Sequence, residues 1–165
     1  MSEQEKYDDA SWYLAEDYPA DLPQENAFIH LAAMMNWLIL HDMVSFDDYV
    51  MEEAQSYLDD IRSRQATPLA IMLEICDGVL ISGDFTDEGN AFLGAYYTNY
   101  YIDDYPRRFG EGFQAPDTWE HYDEVAAMID QRYDEWKTTG RLQRQGKSGL
   151  VKALSSLFGS KKKAK

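Results

Sequence analysis

The stretch AFIHLAAMMNWLIL, residues 27–40, constrains the fold of this chain more than any other. It is the longest apolar run, yet it is shorter than a membrane span and carries His30 and Asn36. Phe28, Leu31, Met35, Leu38 and Asp42 follow one another at spacings of three and four. That rhythm predicts a helix from Gln24 or Glu25 to Asp42, with acids at its start.

Four more helices follow from local signals. Ser45 with Asp48 at the third position resembles a capping box and predicts a helix to about Arg64, in which Tyr49, Ala54, Tyr57, Leu58 and Ile61 form a buried stripe. Thr67-Pro68 starts a third helix, LAIMLEICD, which stops at Gly78. VLISGDF reads as a short strand or an extended loop. Thr86 caps a fourth helix that runs to about Asp103, and Pro106 to Pro116 is a loop containing Gly110 and Gly112. Asp117 or Thr118 begins a fifth helix, whose apolar face includes Trp119, Tyr122, Val125, Tyr133 and Trp136, closed by Gly140. The first two dozen residues read as an extended arm. The expectation is an all-α fold: one compact acidic domain of about five helices over residues 1–140, and a basic tail over 141–165 in which Ser148 caps a short amphipathic helix.

Charge narrows the choice of partners. The net charge of −15 is unevenly spread: residues 138–165 hold eight basic residues and no acid, which leaves seven basic residues against thirty acids, or −23, on the body. Such a field repels nucleic acid and anionic membranes and attracts basic proteins. The tail, residues 147–165, has the opposite sign and reads either as a contact for an anionic membrane or as a solubilising appendage. A single Cys76 excludes an intramolecular disulfide, and Met1 is followed by no signal-peptide pattern, so the expected location is the cytoplasm.

Catalytic motifs are hard to find. His30 and His41 share a helix face but lie three turns apart, too far for one metal. Asp84 to Ala95 has the start of a calcium loop but lacks the acid at its twelfth position. Asp117, Glu120, His121 and Asp123 could form a metal or carboxylate site, although the paired Glu-x-x-His pattern of di-metal bundles is missing. Cys76 falls inside the third helix, where a buried thiol is inert. No catalytic residue, metal site or cofactor is assigned.

The segment NAFLGAYYTNYYIDDY, residues 90–105, carries the most pointed signal. At 100° per residue, Phe92, Leu93, Tyr96, Tyr97 and Tyr100 share a sector of about 140° and form a core face. Tyr101 and Tyr105 point off that sector, and Asp103 and Asp104 end the helix where its dipole disfavours acids. Such local conflicts mark functional positions.

KYDDASWYLAEDYPADLP, AFIHLAAMMNWLI, DEGNAFLGAYYTNYYIDDY and DTWEHYDEV together resemble a family of small bacterial proteins of unknown function, over residues 6 to about 136. The resemblance implies a Tyr-Asp-Asp-Ala-Ser-Trp arm, a Leu-Pro before the first helix, an acidic-Gly-Asn-x-Phe helix and a Trp-x-x-Tyr helix. Tyr13-Leu14 stands where the family pattern would bear a His. The resemblance implies no activity; by analogy, its acidic, compact character is similar to that of immunity proteins.

The functional expectation is an acidic binding protein, an immunity protein that covers the basic active-site surface of a toxin such as a nuclease. Its contact residues would be Tyr101, Asp103, Asp104 and Tyr105, with Asp47, Asp48 and Asp59 on the second helix. The alternatives are an enzyme with a site near Asp117–Asp123 and a protein docked to a membrane or scaffold by its tail.

Overall fold

A computed structural model describes residues 3–144; the tail helix expected around Ser148 lies outside the described residues. At the centre is α1, Ile29–Leu40, with every residue from Ile29 to Ile39 buried. A helix apolar on all sides can only be a core helix, and α1 packs against α2, α3 and α6. The helix expected from Gln24 opens as a 3-10 turn, Gln24–Phe28, before the α-helical part begins. His41 caps its C-terminus: Nδ1 donates to the Trp37 carbonyl at 2.8 Å while the ring stacks on the Trp37 indole.

Around α1 stand α2 (Asp48–Arg62), α3 (Leu69–Glu74), α4 (Asp87–Tyr96) and α6 (Trp119–Thr139). Thr86 and Thr118 cap α4 and α6 as expected, accepting from the Gly89 and His121 amides. Gly140 ends α6 in the left-handed conformation. Two start signals are displaced. The cap of α2 is Asp47, which accepts from the Val50 amide at 2.9 Å, so Ser45 is left outside the helix. Thr67 does not cap α3 but donates to Asp117 at 3.1 Å. Tyr49, placed in the buried stripe of α2, is 76% exposed.

The arm is not free. Its residues β1 (Lys6–Asp9) pair antiparallel with β2 (Val79–Ile81), Asp8 opposite Leu80 and Asp9 opposite Val79. The pairing requires a tight turn after α3, where Gly78 has φ 70° and its missing Cβ would meet the Phe28 ring at 2.5 Å. This two-stranded ribbon is the only sheet among the described residues, so the fold is all-α with an ordered arm. No helix among the described residues is long and apolar enough to cross a membrane.

The fourth predicted helix is where the structure departs most from simple periodicity. After α4 the chain makes a π turn, Tyr97–Tyr101, and continues as α5, Ile102–Phe109. Pro106, expected to start a loop, lies within α5. Having no N–H, Pro106 gives no i→i−4 hydrogen bond to the Ile102 carbonyl.

Candidate functional site

The π turn decides the fate of the four residues singled out at the end of α4. It holds one more residue than an α turn, so everything after it is rotated by about 100° from the expected register. Tyr101 is therefore fully buried, its hydroxyl donating to the His30 carbonyl at 2.7 Å, rather than exposed. Asp104 is also buried. It receives a bidentate pair from Arg132, Nε at 2.7 Å and Nη2 at 3.0 Å, and a hydrogen bond from Tyr96 at 3.0 Å. Arg132 Nη1 donates to Glu135 and to the Gln143 carbonyl. Two of the expected contact residues are thus core residues, and the acids occupy the first turn of α5 rather than the end of α4. Tyr105 is half-buried, bonded to His121 Nε2 at 2.7 Å. Only Asp103 of the four is exposed, loosely paired with Arg144 at 3.4 Å.

The acids expected on the second helix do face solvent. At 100° per residue Asp48, Tyr49, Glu52, Glu53, Ser56, Asp59 and Asp60 fall within a sector of about 140°, opposite the buried Ala54, Leu58 and Ile61. Asp48, Glu52, Glu53 and Asp60 make no side-chain ion pair among the described residues. Asp59 accepts a hydrogen bond from Gln55, and Asp47 is spent on the cap. Tyr49 stands in the middle of this face.

The neighbourhood of Asp117–Asp123 is otherwise occupied. Asp117 accepts from Tyr122 at 2.7 Å and from Thr67, Asp123 holds Arg64 at 2.7 and 3.1 Å, and His121 faces Tyr105. Burial lowers the His121 pKa from the ordinary histidine value against a weaker opposing pull from Glu124. No group of three or more His, Cys, Asp or Glu arranged to hold a metal ion occurs among the described residues.

A second site was not read in the sequence at all. β1 carries Asp8 into the interior, where it is 1% exposed. Its Oδ1 accepts from the Asp9 amide and the Tyr13 hydroxyl, each at 2.8 Å; its Oδ2 accepts from Tyr97 and from His30 Nε2 at 3.2 Å. Burial pushes the Asp8 pKa up, but the His30 hydrogen bond and charge, with the two tyrosines, more than offset this and hold it below the ordinary value. Asp8 is thus a buried carboxylate, which only accepts, so His30 Nε2 donates. His30 Nδ1 makes no hydrogen bond among the described residues.

His30 and Tyr13 also line a cavity of about 280 Å³, walled by Tyr101, Ile102, Tyr105 and Phe113, with Gly110, Glu111 and Gly112 at its edge. Phe113 reaches it from a left-handed backbone, φ 61°, an unfavourable conformation for an aromatic residue that Asn26 helps to hold by donating to its carbonyl at 2.8 Å. Its ring rests against Tyr13, Tyr18 and His30. The signal in the sequence was an acid flanked by tyrosines in the arm, which becomes legible only when the arm is known to dock.

A family described as a domain of unknown function (DUF7832) matches residues 6–119. The chain belongs to DUF7832. The match bears out the resemblance to a family of unknown function, over a span that ends nearer the start of α6 than expected. Within the DUF7832 span lie the acidic face of α2, the Asp8 network and every residue lining the cavity. The Arg132 that fixes Asp104 falls beyond it. No curated protein and no solved structure shows significant similarity to the chain.

Proposed function

We propose that this DUF7832 protein binds a basic protein partner, in the manner of an immunity protein that covers the positive surface of a toxin. The observation that carries the reading is the outer face of α2: four acids without ion pairs around a tyrosine that is 76% exposed. Asp48 and Glu52 repel each other at i,i+4, a cost of a few tenths of a kcal/mol that the fold does not relieve. An exposed aromatic ring amid desolvatable acids is the composition of an anchor for Lys- and Arg-rich surfaces. The surplus of acids over bases would speed encounter through long-range steering. Of the residues first expected to make contact, Asp48, Asp59 and Asp103 remain available to this role; Asp47, spent on the α2 cap, and the buried Tyr101 and Asp104 do not.

The test is to titrate the protein with the basic product of an adjacent gene, by calorimetry, at low and at high salt. The double variant Glu52→Lys, Glu53→Lys is expected to weaken binding at least tenfold at low salt, with an unchanged melting temperature. Affinity that ignores both salt and the double variant would remove α2 as the contact surface.

A further inference from the structure

We propose that the cavity between the arm and α5 is a binding site for an organic cation, an alkylammonium or guanidinium group, independent of the α2 surface. Four aromatic rings line it: Tyr13, Tyr101, Tyr105 and Phe113. Aromatic faces are electronegative and attract a desolvated cation at close range. One charged side chain lines the cavity, the rim acid Glu111, and no Lys or Arg does. Behind the wall the buried Asp8 carboxylate adds negative charge through its bonds to Tyr13 and His30; it also offsets the positive end of α1, which would otherwise favour an anion.

The hydrogen-bonding capacity points the same way. The hydroxyls of Tyr13, Tyr101 and Tyr105 are already committed, to Asp8, the His30 carbonyl and His121. An anion entering the cavity would find the Tyr13 and Tyr101 hydroxyl protons already donated, to Asp8 and to the His30 carbonyl. His30 is nine-tenths buried, and its Nε2 is fixed as the donor to Asp8. Its Nδ1 makes no hydrogen bond among the described residues. A ligand with a positively charged head satisfies the rings. The cavity volume suits a small molecule or a single side chain. The strained backbone at Phe113 is of the kind that persists at ligand clamps.

The experiment uses the full chain and three probes of nearly equal shape: n-pentylammonium, n-pentanol and pentanoate, titrated by calorimetry and followed by amide chemical shifts. Pentylammonium is expected to bind saturably at least tenfold more tightly than pentanol, with shifts centred on His30, Tyr105 and Phe113, and pentanoate not to bind. Phe113→Leu keeps the bulk and removes the ring, so it should lower pentylammonium affinity about three- to tenfold and leave pentanol unchanged. Pentanol binding as tightly as pentylammonium, or Phe113→Leu weakening both alike, would overturn the proposal. Competition with acetyl-Gly-Lys-Gly-amide assigns the source. Displacement of pentylammonium by the peptide identifies the cation as a side chain of a protein; binding of the free amine without displacement identifies it as a small molecule. Saturable binding of neither would also overturn the proposal.

Discussion

Asp103 and Asp104 are neighbours in sequence and read as equivalent, yet their environments are opposite. Asp104 and Arg132 form a pair in which each side chain is under 5% exposed, whereas Asp103 and Arg144 are more than half exposed. Removing one member of a buried pair strands the other charge. Asp104→Ala is therefore expected to cost about 3–5 kcal/mol in chemical denaturation, and Asp103→Ala less than about 1 kcal/mol. Equal effects would contradict the assignment. Asp84 makes a different prediction. Burial, and secondarily the charge of Asp47, raises its pKa to about 6 from the usual 3.8. The folded state thus holds the proton longer, so stability associated with Asp84 is full below the unfolded pKa and falls as pH rises through about 6. Asp84→Asn removes that loss. With allowance for its partial exposure, the variant should gain about 1–2 kcal/mol over the parent at about pH 7 and nothing at about pH 4, read from denaturant midpoints. A gain of the same size at both pH values would show that proton linkage is not the cause.

Among the elements, those fixed by local chemistry were legible and those fixed by distant pairing were not. Thr86 and Thr118 declare helix starts because a hydroxyl satisfies an amide three residues on, whatever the fold. The core face of α4 through Tyr96 follows from a constant 100° step. The step fails at Tyr97–Tyr101, since nothing local in TNYY distinguishes a π turn from an α turn. What selects it is the tertiary gain of placing Tyr101 on the His30 carbonyl and Asp104 on Arg132. The candidate site was obscure for the same reason: Asp8 meets His30 and Tyr97 only after the arm docks. Deleting Asn99, an exposed residue of the π turn, should restore α spacing and turn both side chains out of their sites. We expect helical circular dichroism to survive while the cooperative thermal transition is lost or lowered by a loss of several kcal/mol. A deletion variant as stable as the parent would mean that the extra residue is not needed for register.

At the scale of the whole molecule, the boundary drawn at Gly140, from the helix-closing glycine and the change of charge, meets a structural counter-current. Residues just beyond it fold back: Leu142 is 9% exposed, its carbonyl accepts from Tyr100 at 2.9 Å, and the Gln143 carbonyl accepts from Arg132 at 2.7 Å. A chain ending at Gly140 should accordingly be less stable than one ending at Arg144, by about 2–4 kcal/mol for a lost apolar contact and acceptors withdrawn from a buried guanidinium. Equal melting temperatures would show that these four residues contribute nothing to the body.

The ribbon of β1 and β2 joins the start of the chain to its middle, across α1, α2 and α3. Closing so long a loop is entropically expensive until the intervening helices have already condensed. The arm therefore belongs to the last step of assembly and the first step of local opening. Since Asp8 and Tyr13 ride on that arm, the cavity exists only in molecules whose arm is down. Occupancy and arm closure are one linked equilibrium, so an occupant acts as a latch and is felt as protection of the N-terminal amides far from any atom it touches.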